Sequence, residues 1–142
     1  MKYLLDTDHI SILQWKSEPG FTVLSARLAQ SRPDDYGVSL VSLHEQSVGC
    51  HAYLNRAKTA ETLARGYRMF ELILATYSWE NVLPFDEAAA SDYLALSSQG
   101  LRVAAMDLRL AAIARTRNLT LLTRNGQDFA KVGGLAIEDW TH

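Results

Sequence analysis

Four acidic side chains stand where they could share one task. Asp6 directly follows the apolar run Tyr3-Leu4-Leu5, in Leu5-Asp6-Thr7-Asp8-His9. Glu45 lies in Ser42-Leu43-His44-Glu45, Asp107 in Met106-Asp107-Leu108-Arg109-Leu110, and Asp128 in Thr123-Arg124-Asn125-Gly126-Gln127-Asp128-Phe129. Carboxylates crowded together repel one another unless a cation sits among them. An all-oxygen donor set suits a hard ion such as Mg²⁺ or Mn²⁺, and no Cys-and-His cluster favours zinc. His9 and His44 lie near this chemistry and read as surface residues or as supports behind a ligand. Cys50 has no activating neighbour and reads as packed. There is no Gly-x-Ser-x-Gly turn and no phosphate-cradling glycine loop.

Each acid also has a plainer reading. Asp6 is a good N-cap for a helix that begins near Ile10, which leaves cap and ligand evenly matched. Asp8 reads as that cap or as an outer support. Ser42 and Glu45 have the spacing of a capping box. Against it, Val48, Gly49 and Ala52 share Glu45's helical face and turn it toward protein, with Gly49 admitting close approach of another backbone. Asp107 gives the strongest evidence. It shares a stripe with Leu110, Ala111 and Ala114, which should face the core, and an unpaired buried charge is expensive. Its plainer alternative is a helix N-terminus, where the dipole favours an acid. Asp128 taken alone reads as a turn acid, with Phe129 anchoring the loop.

The elements that must position these residues follow from periodicity and breakers. Tyr3 to Leu5, Tyr36 to Ser39, Asn81 to Leu83, Leu119 to Thr123 and Leu135 to Glu138 read as strands. Phe21 to Gln30, Ser42 to about Leu54, Lys58 to Tyr77, Asp86 to Gln99 and Met106 to Arg117 read as helices. Asp86 is a natural N-cap and Gly100 follows the end of its helix. Ser31 to Asp35 is a loop, Pro84 stops the third strand, and Gly133-Gly134 turns the chain into the last one. Strands separated by helices predict a parallel sheet covered on both faces. Ligands bind such sheets beyond the carboxyl ends of the strands, where Asp6 and Asp128 fall.

Length and composition set outer bounds. At 142 residues with 48% hydrophobic content, the chain makes one domain, residues 1–142, with a core that needs no disulfide staples. Its apolar runs are too short to span a bilayer, and no secretory pattern opens it. A single cysteine fits a reducing cytoplasm. A net charge of −2 does not mark a nucleic-acid binder, yet between Arg102 and Arg124 five arginines accompany one acid, Asp107. A second basic cluster holds Arg56, Lys58, Arg65 and Arg68. A positive rim around an acidic centre attracts a polyanion despite the net sign, while solvated helix faces explain any one arginine equally well.

Taken together, these segments resemble PIN-domain proteins, in particular VapC-type toxins of type II toxin–antitoxin systems. The carriers are Lys2-Tyr3-Leu4-Leu5-Asp6-Thr7-Asp8, Val41-Ser42-Leu43-His44-Glu45, Met106 to Ala114, the Thr123 to Phe129 segment and the stretch Gly134-Leu135 to Asp139-Trp140. The likeness runs in order over nearly the whole chain. Asp8 departs from it, since many relatives carry Asn there, and Gly100 to Ala105 lacks the Gly-Pro-like approach to the third acid. The resemblance implies a three-layer α/β/α sandwich with a mainly parallel sheet of four or five strands. It implies Asp6, Glu45, Asp107 and Asp128 as the acidic quartet of an Mg²⁺- or Mn²⁺-dependent endoribonuclease, with Thr7, Thr123 and Asn125 in support. Asp6 and Asp107 are the expected direct ligands. Glu45 would bind metal or orient the attacking water, and Asp128 would serve a second, weaker position. Arg102 and Arg124 are candidate phosphate contacts. The resemblance further implies an RNA substrate, a VapB-like antitoxin, a homodimer and inhibition of translation or growth. A groove is expected between the Lys58 to Tyr77 helix (Tyr67, Phe70, Ile73) and the Phe21 to Gln30 helix; plain core packing is the alternative for those side chains.

Two other readings compete. Asp6-x-Asp8 also resembles the opening of haloacid-dehalogenase-like phosphatases, which need a downstream lysine, and the only lysine past the middle is Lys131. A catalytically silent RNA- or protein-binding module would carry the same residues.

Overall fold

A computed structural model describes residues 1–78 and 81–142. Five short strands, β1 (Tyr3–Leu5), β2 (Tyr36–Ser39), β3 (Val82–Leu83), β4 (Thr120–Leu122) and β5 (Ile137–Glu138), form one sheet in the order β3-β2-β1-β4-β5. Every pairing is parallel, with Tyr3 opposite both Tyr36 and Thr120. Alternation along the two central strands sorts the core. Leu4 and Leu121 face one side and Leu5 and Leu122 the other, because successive side chains of a strand point to opposite faces. On the first side lie Ala89 and Leu96 of α5 (Glu87–Ser97), Leu108 and the run Leu110–Ala114 of α6 (Ala105–Thr116), and Val41 of α3 (Leu40–Arg56). On the second lie Ile10 and Ile12 of α1 (Thr7–Trp15), Leu24 and Leu28 of α2 (Gly20–Ala29), and Trp140. The result is the expected α/β/α sandwich. The chain moves outward from β1 through β2 and β3, then returns to place β4 on β1's other side. The switch point between β1 and β4 opens at their carboxyl ends, where Asp6 and Thr123 follow the strands.

Several local expectations change. Asp6 itself caps α1 by accepting a hydrogen bond from the Thr7 amide at 2.6 Å, so the helix starts at Thr7 rather than near Ile10, and Asp8 is not the cap. The Ser42–Glu45 capping box does not form. α3 follows β2 without a loop, so Ser39, at the strand end, supplies the cap to the Ser42 amide at 3.1 Å. Glu45 is thereby left half-buried, with its carboxylate not spent on the helix end. Its helical face is wetter than expected, since Val48 is 54% exposed and a side chain at Gly49 would meet nothing. Pro33–Asp35 makes a 3₁₀ turn inside the expected loop, a one-turn helix α7 (Gly126–Phe129) occupies the expected turn, and the last strand contracts to Ile137–Glu138.

The close-approach glycine is Gly66, in α4 (Ala60–Tyr77), not Gly49. A Cβ there would clash with Leu54 Cδ2 and lie 2.9 Å from Leu54 Cγ, where α4 packs on α3. Cys50, fully buried, donates its thiol to the Gly66 carbonyl at 3.4 Å. Ala has the better helix propensity, but overpacking outweighs it here. Gly66→Ala is expected to destabilise by about 1–3 kcal/mol, read as a lower urea midpoint; an unchanged midpoint would show that Leu54 swings aside freely.

Candidate functional site

Asp6 is 6% exposed, and both of its carboxylate oxygens are engaged. One accepts the Thr7 amide; the other accepts the Thr123 hydroxyl at 2.7 Å. The same Thr123 oxygen accepts the Asn125 amide at 3.0 Å, so the loop after β4 is tied to the end of β1. Burial, then the charge of Asp8, lift the Asp6 carboxyl to about 7 in spite of these hydrogen bonds, and Asp107 adds to the rise.

Asp107 sits in the first turn of α6, with Leu110, Ala111 and Ala114 of its stripe fully or almost fully buried, as its spacing predicts. Burial, then the charges of Glu45, Asp128 and Asp8, lift its carboxyl to about 6. Asp128, in α7, behaves oppositely. The Asn125 side-chain amide, at 3.2 Å, and the Lys131 ammonium, at 3.3 Å, hold its carboxyl below the ordinary carboxylate range. Phe129 beside it is completely buried and anchors the loop, as expected.

Asp6, Glu45, Asp107 and Asp128 are therefore drawn from four different elements toward one end of the sheet; Glu45 and Asp128 act on Asp107 electrostatically together with Asp8, and Asp107 acts on Asp6. Among the described residues, no cation pairs with Asp6, Glu45 or Asp107, whereas Asp128 has Lys131. Among the described residues, no three His, Cys, Asp or Glu side chains stand close enough to hold a metal ion. The acids thus lie within one another's field without forming a closed cage. The donor chemistry still fits a hard divalent cation: oxygens only, two of them desolvated, and an uncompensated negative charge.

The supporting residues divide. Thr123 and Asn125 serve Asp6 and Asp128 as described. Thr7 reaches α3, donating its hydroxyl to the buried Ser42 hydroxyl at 3.1 Å. Arg102 and Arg124 are both exposed; Arg102 adopts a positive φ of 57° after the end of α5. His44 is exposed. Sequence reasoning missed Ser42 as a partner of Thr7, and it missed Tyr77. The Tyr77 hydroxyl donates to the Gln46 side chain at 3.1 Å. Burial, then the Glu45 charge, push its phenol above the ordinary value, which places it beside the acidic end of α3. A polar residue in the last turn of an amphipathic helix was the available signal. His9 is completely buried rather than at the surface.

The expected groove drew on α4 and on the Phe21 to Gln30 helix, and a cleft does border α4. An apolar cleft of about 410 Å³ lies between α1, β2 and α4 and is lined by Ile10, Leu13, Val38, Leu72 and Ala75, with no residue of Phe21 to Gln30. Ile73 packs into the core, whereas Tyr67 is 61% and Phe70 46% exposed. No helix among the described residues is long and apolar enough to cross a membrane.

No family model matches the chain. It is similar to the tRNA(fMet)-specific endonuclease VapC of Shigella flexneri, with 32% identity over 145 residues covering 99% of each chain. Among solved structures it is similar to VapBC-1 from nontypeable Haemophilus influenzae, with 26% identity, a TM-score of 0.72 and all of both chains covered. It is also similar to VapBC-5 from Mycobacterium tuberculosis, a member of the VapBC family of toxin-antitoxin systems, with 26% identity, a TM-score of 0.63 and 99% and 98% of the two chains covered.

Proposed function

From the premise that this chain belongs to the VapC family of PIN-domain toxins, we propose that it is a divalent-metal-dependent endoribonuclease acting at the β1–β4 switch point. The observation that carries this reading is the pair Asp6 and Asp107, two desolvated carboxylates lifted by burial and by neighbouring acids, with Asp107 among those acting on Asp6, and with no cation of their own among the described residues.

Asp6 and Asp107 would hold a Mg²⁺ or Mn²⁺ ion, with Glu45 beside Asp107 and Asp128 at a second, weaker position. Such an ion lowers the pKa of water and draws charge from phosphoryl oxygens. The chain's own residues do the rest. Thr123 holds one Asp6 oxygen, which leaves the carboxylate a single orientation. Glu45, half-buried at the edge, orients the attacking water and takes its proton. The Asn125 amide turns Asp128 toward the site while Lys131 tempers its charge. Arg102 and Arg124, exposed around this end, contact the RNA backbone phosphates. The substrate panel begins with initiator tRNA, the substrate in the Shigella relative's name. A VapB-like antitoxin, in keeping with the VapBC names of the similar structures, and a second copy of the chain complete the proposed assembly.

The phosphatase reading finds no support, because Lys131 bonds Asp128 and makes no ion pair with Asp6 among the described residues. The test is cleavage of structured RNAs with Mg²⁺ or Mn²⁺, with chelator, and by Glu45→Gln. Chelation is expected to stop cleavage, and Glu45→Gln to lower kcat about 10–100-fold. Cleavage indifferent to both would sink the assignment; hydrolysis of a phosphomonoester abolished by Asp8→Asn would favour the phosphatase.

A further inference from the structure

The nuclease reading leaves a completely buried imidazole without a task. His9 lies in the first turn and a half of α1, and both ring nitrogens are bonded. Nδ1 meets an Asp8 carboxylate oxygen at 2.7 Å, and Nε2 accepts the Trp140 amide at 3.2 Å. A backbone amide can only donate, so Nε2 is the acceptor and the ring's hydrogen is on Nδ1, donated to Asp8. The other Asp8 oxygen accepts the Arg124 amide at 2.9 Å and lies 3.4 Å from the Thr123 hydroxyl.

These bonds form a continuous chain. It runs from Trp140, after β5, through His9 and Asp8 to Thr123 and Arg124, and from there to Asp6 on one side and to Asn125 and Asp128 on the other. Asp8 is negatively charged beside two other acids whose carboxyls its charge raises. Left to electrostatics, it would turn away from them. The His9 donor opposes that turn, and it does so from inside the core where rotation is blocked. If the ring served only to fill space, an apolar side chain would serve better, since a buried polar group without a partner is costly.

We propose that His9 is a positioning residue for the reaction, acting through Asp8 to hold the Thr123–Asn125 loop, and with it Asp128, against Asp6. The proposal rests on the nuclease reading for its effect on rate but not for its structural half. The His9 ring is locked with hydrogen on Nδ1, Asp8 is held in the rotamer that receives Arg124, and the segment after β5 is coupled to the catalytic loop.

Two substitutions separate positioning from packing. The Asn amide nitrogen takes the place of Nδ1 and keeps the bond to Asp8, while Gln reaches the place of Nε2 and keeps only the bond to Trp140. His9→Gln is expected to lower kcat about tenfold with KM within about twofold, and His9→Asn to restore most of the loss. The Arg124 amide is expected to exchange faster with solvent in His9→Gln than in His9→Asn, even where the two melt alike. In the wild type, ¹⁵N shifts of His9 should report the Nδ1–H tautomer. Rates that follow melting temperature instead of the Asp8 donor would overturn the proposal, as would an Arg124 amide indifferent to both variants or an Nε2–H ring. If the wild type cleaves no RNA, the nuclease reading fails by itself, and amide exchange and tautomer still decide the role of His9.

Discussion

Asp6→Asn is expected to lower RNA cleavage by about 10²–10³-fold, the usual effect of removing one preorganised charged contact to a reacting centre. It is also expected to make the metal-free protein more stable near pH 8. The two effects have one origin. Asn caps helices as well as Asp does, so α1 keeps its start at Thr7. What disappears is a desolvated negative charge next to Asp8 and within the field of Asp107. Raising the Asp6 carboxyl from 3.8 to about 7 corresponds to about 4 kcal/mol borne by the folded protein once the group is ionised. Part of that gain is lost because the Thr123 hydroxyl, which already accepts from Asn125, must reorient toward an amide. A rise of several degrees in melting temperature remains. This is the stability–activity trade expected where a site holds charge against the preference of the fold. A variant that cleaves as well as the wild type would assign the cleavage to something other than this site. A variant that melts lower would mean the Thr123 bond matters more than the charge.

The second large effect is a pH dependence that a divalent cation cancels. Asp6 and Asp107 have folded-state carboxyls raised to about 7 and about 6. Between pH 4 and 7 the folded chain therefore binds more protons than the unfolded chain, so metal-free stability is full below about pH 4 and is lost as pH rises through 6 and 7. Asp128, lowered in the folded state, acts in the opposite sense, but its window lies below the ordinary carboxylate value of 3.8 and does not overlap. Mn²⁺ or Mg²⁺ binds the ionised carboxylates, so it should raise the melting temperature strongly near pH 8 and weakly near pH 5, where protons compete. At a hundred times its dissociation constant, a cation adds about 2.7 kcal/mol. Thermal denaturation at several pH values, with and without Mn²⁺, reads this directly. A metal-free protein that grows more stable from pH 5 to pH 8, or a Mn²⁺ shift that survives in Asp6→Asn, would contradict it.

Much of the fold was legible because its signals are local. The apolar strands, the alternation that sends Leu4 and Leu5 to opposite cores, and the buried stripe of α6 all depend on spacing within a few residues. The same spacing singled out Asp107, since a carboxylate in the middle of such a stripe has no local reason to be there. The misplacements were at junctions. Ser42 and Glu45 matched a capping box in pattern, but the helix began directly after the last residue of β2, and that residue, Ser39, supplied the cap. Gly49 looked like the close-approach glycine, while the approach occurs at Gly66, because two helices choose their crossing point together.

By itself, then, the sequence determined a parallel sheet between helical layers, a carboxylate, Asp6, directly after the first strand, and another, Asp107, on the buried stripe of α6. Only the tertiary structure decided that Thr123 and Asp6 would share a hydrogen bond across 117 positions, that His9 would meet Trp140 across 131, and that the cleft would open toward α1. The reason is physical. Helical and strand periodicity is written over a few residues, whereas a buried polar group takes whichever partner the packed elements bring within reach, and that choice exists only once the chain has closed on itself.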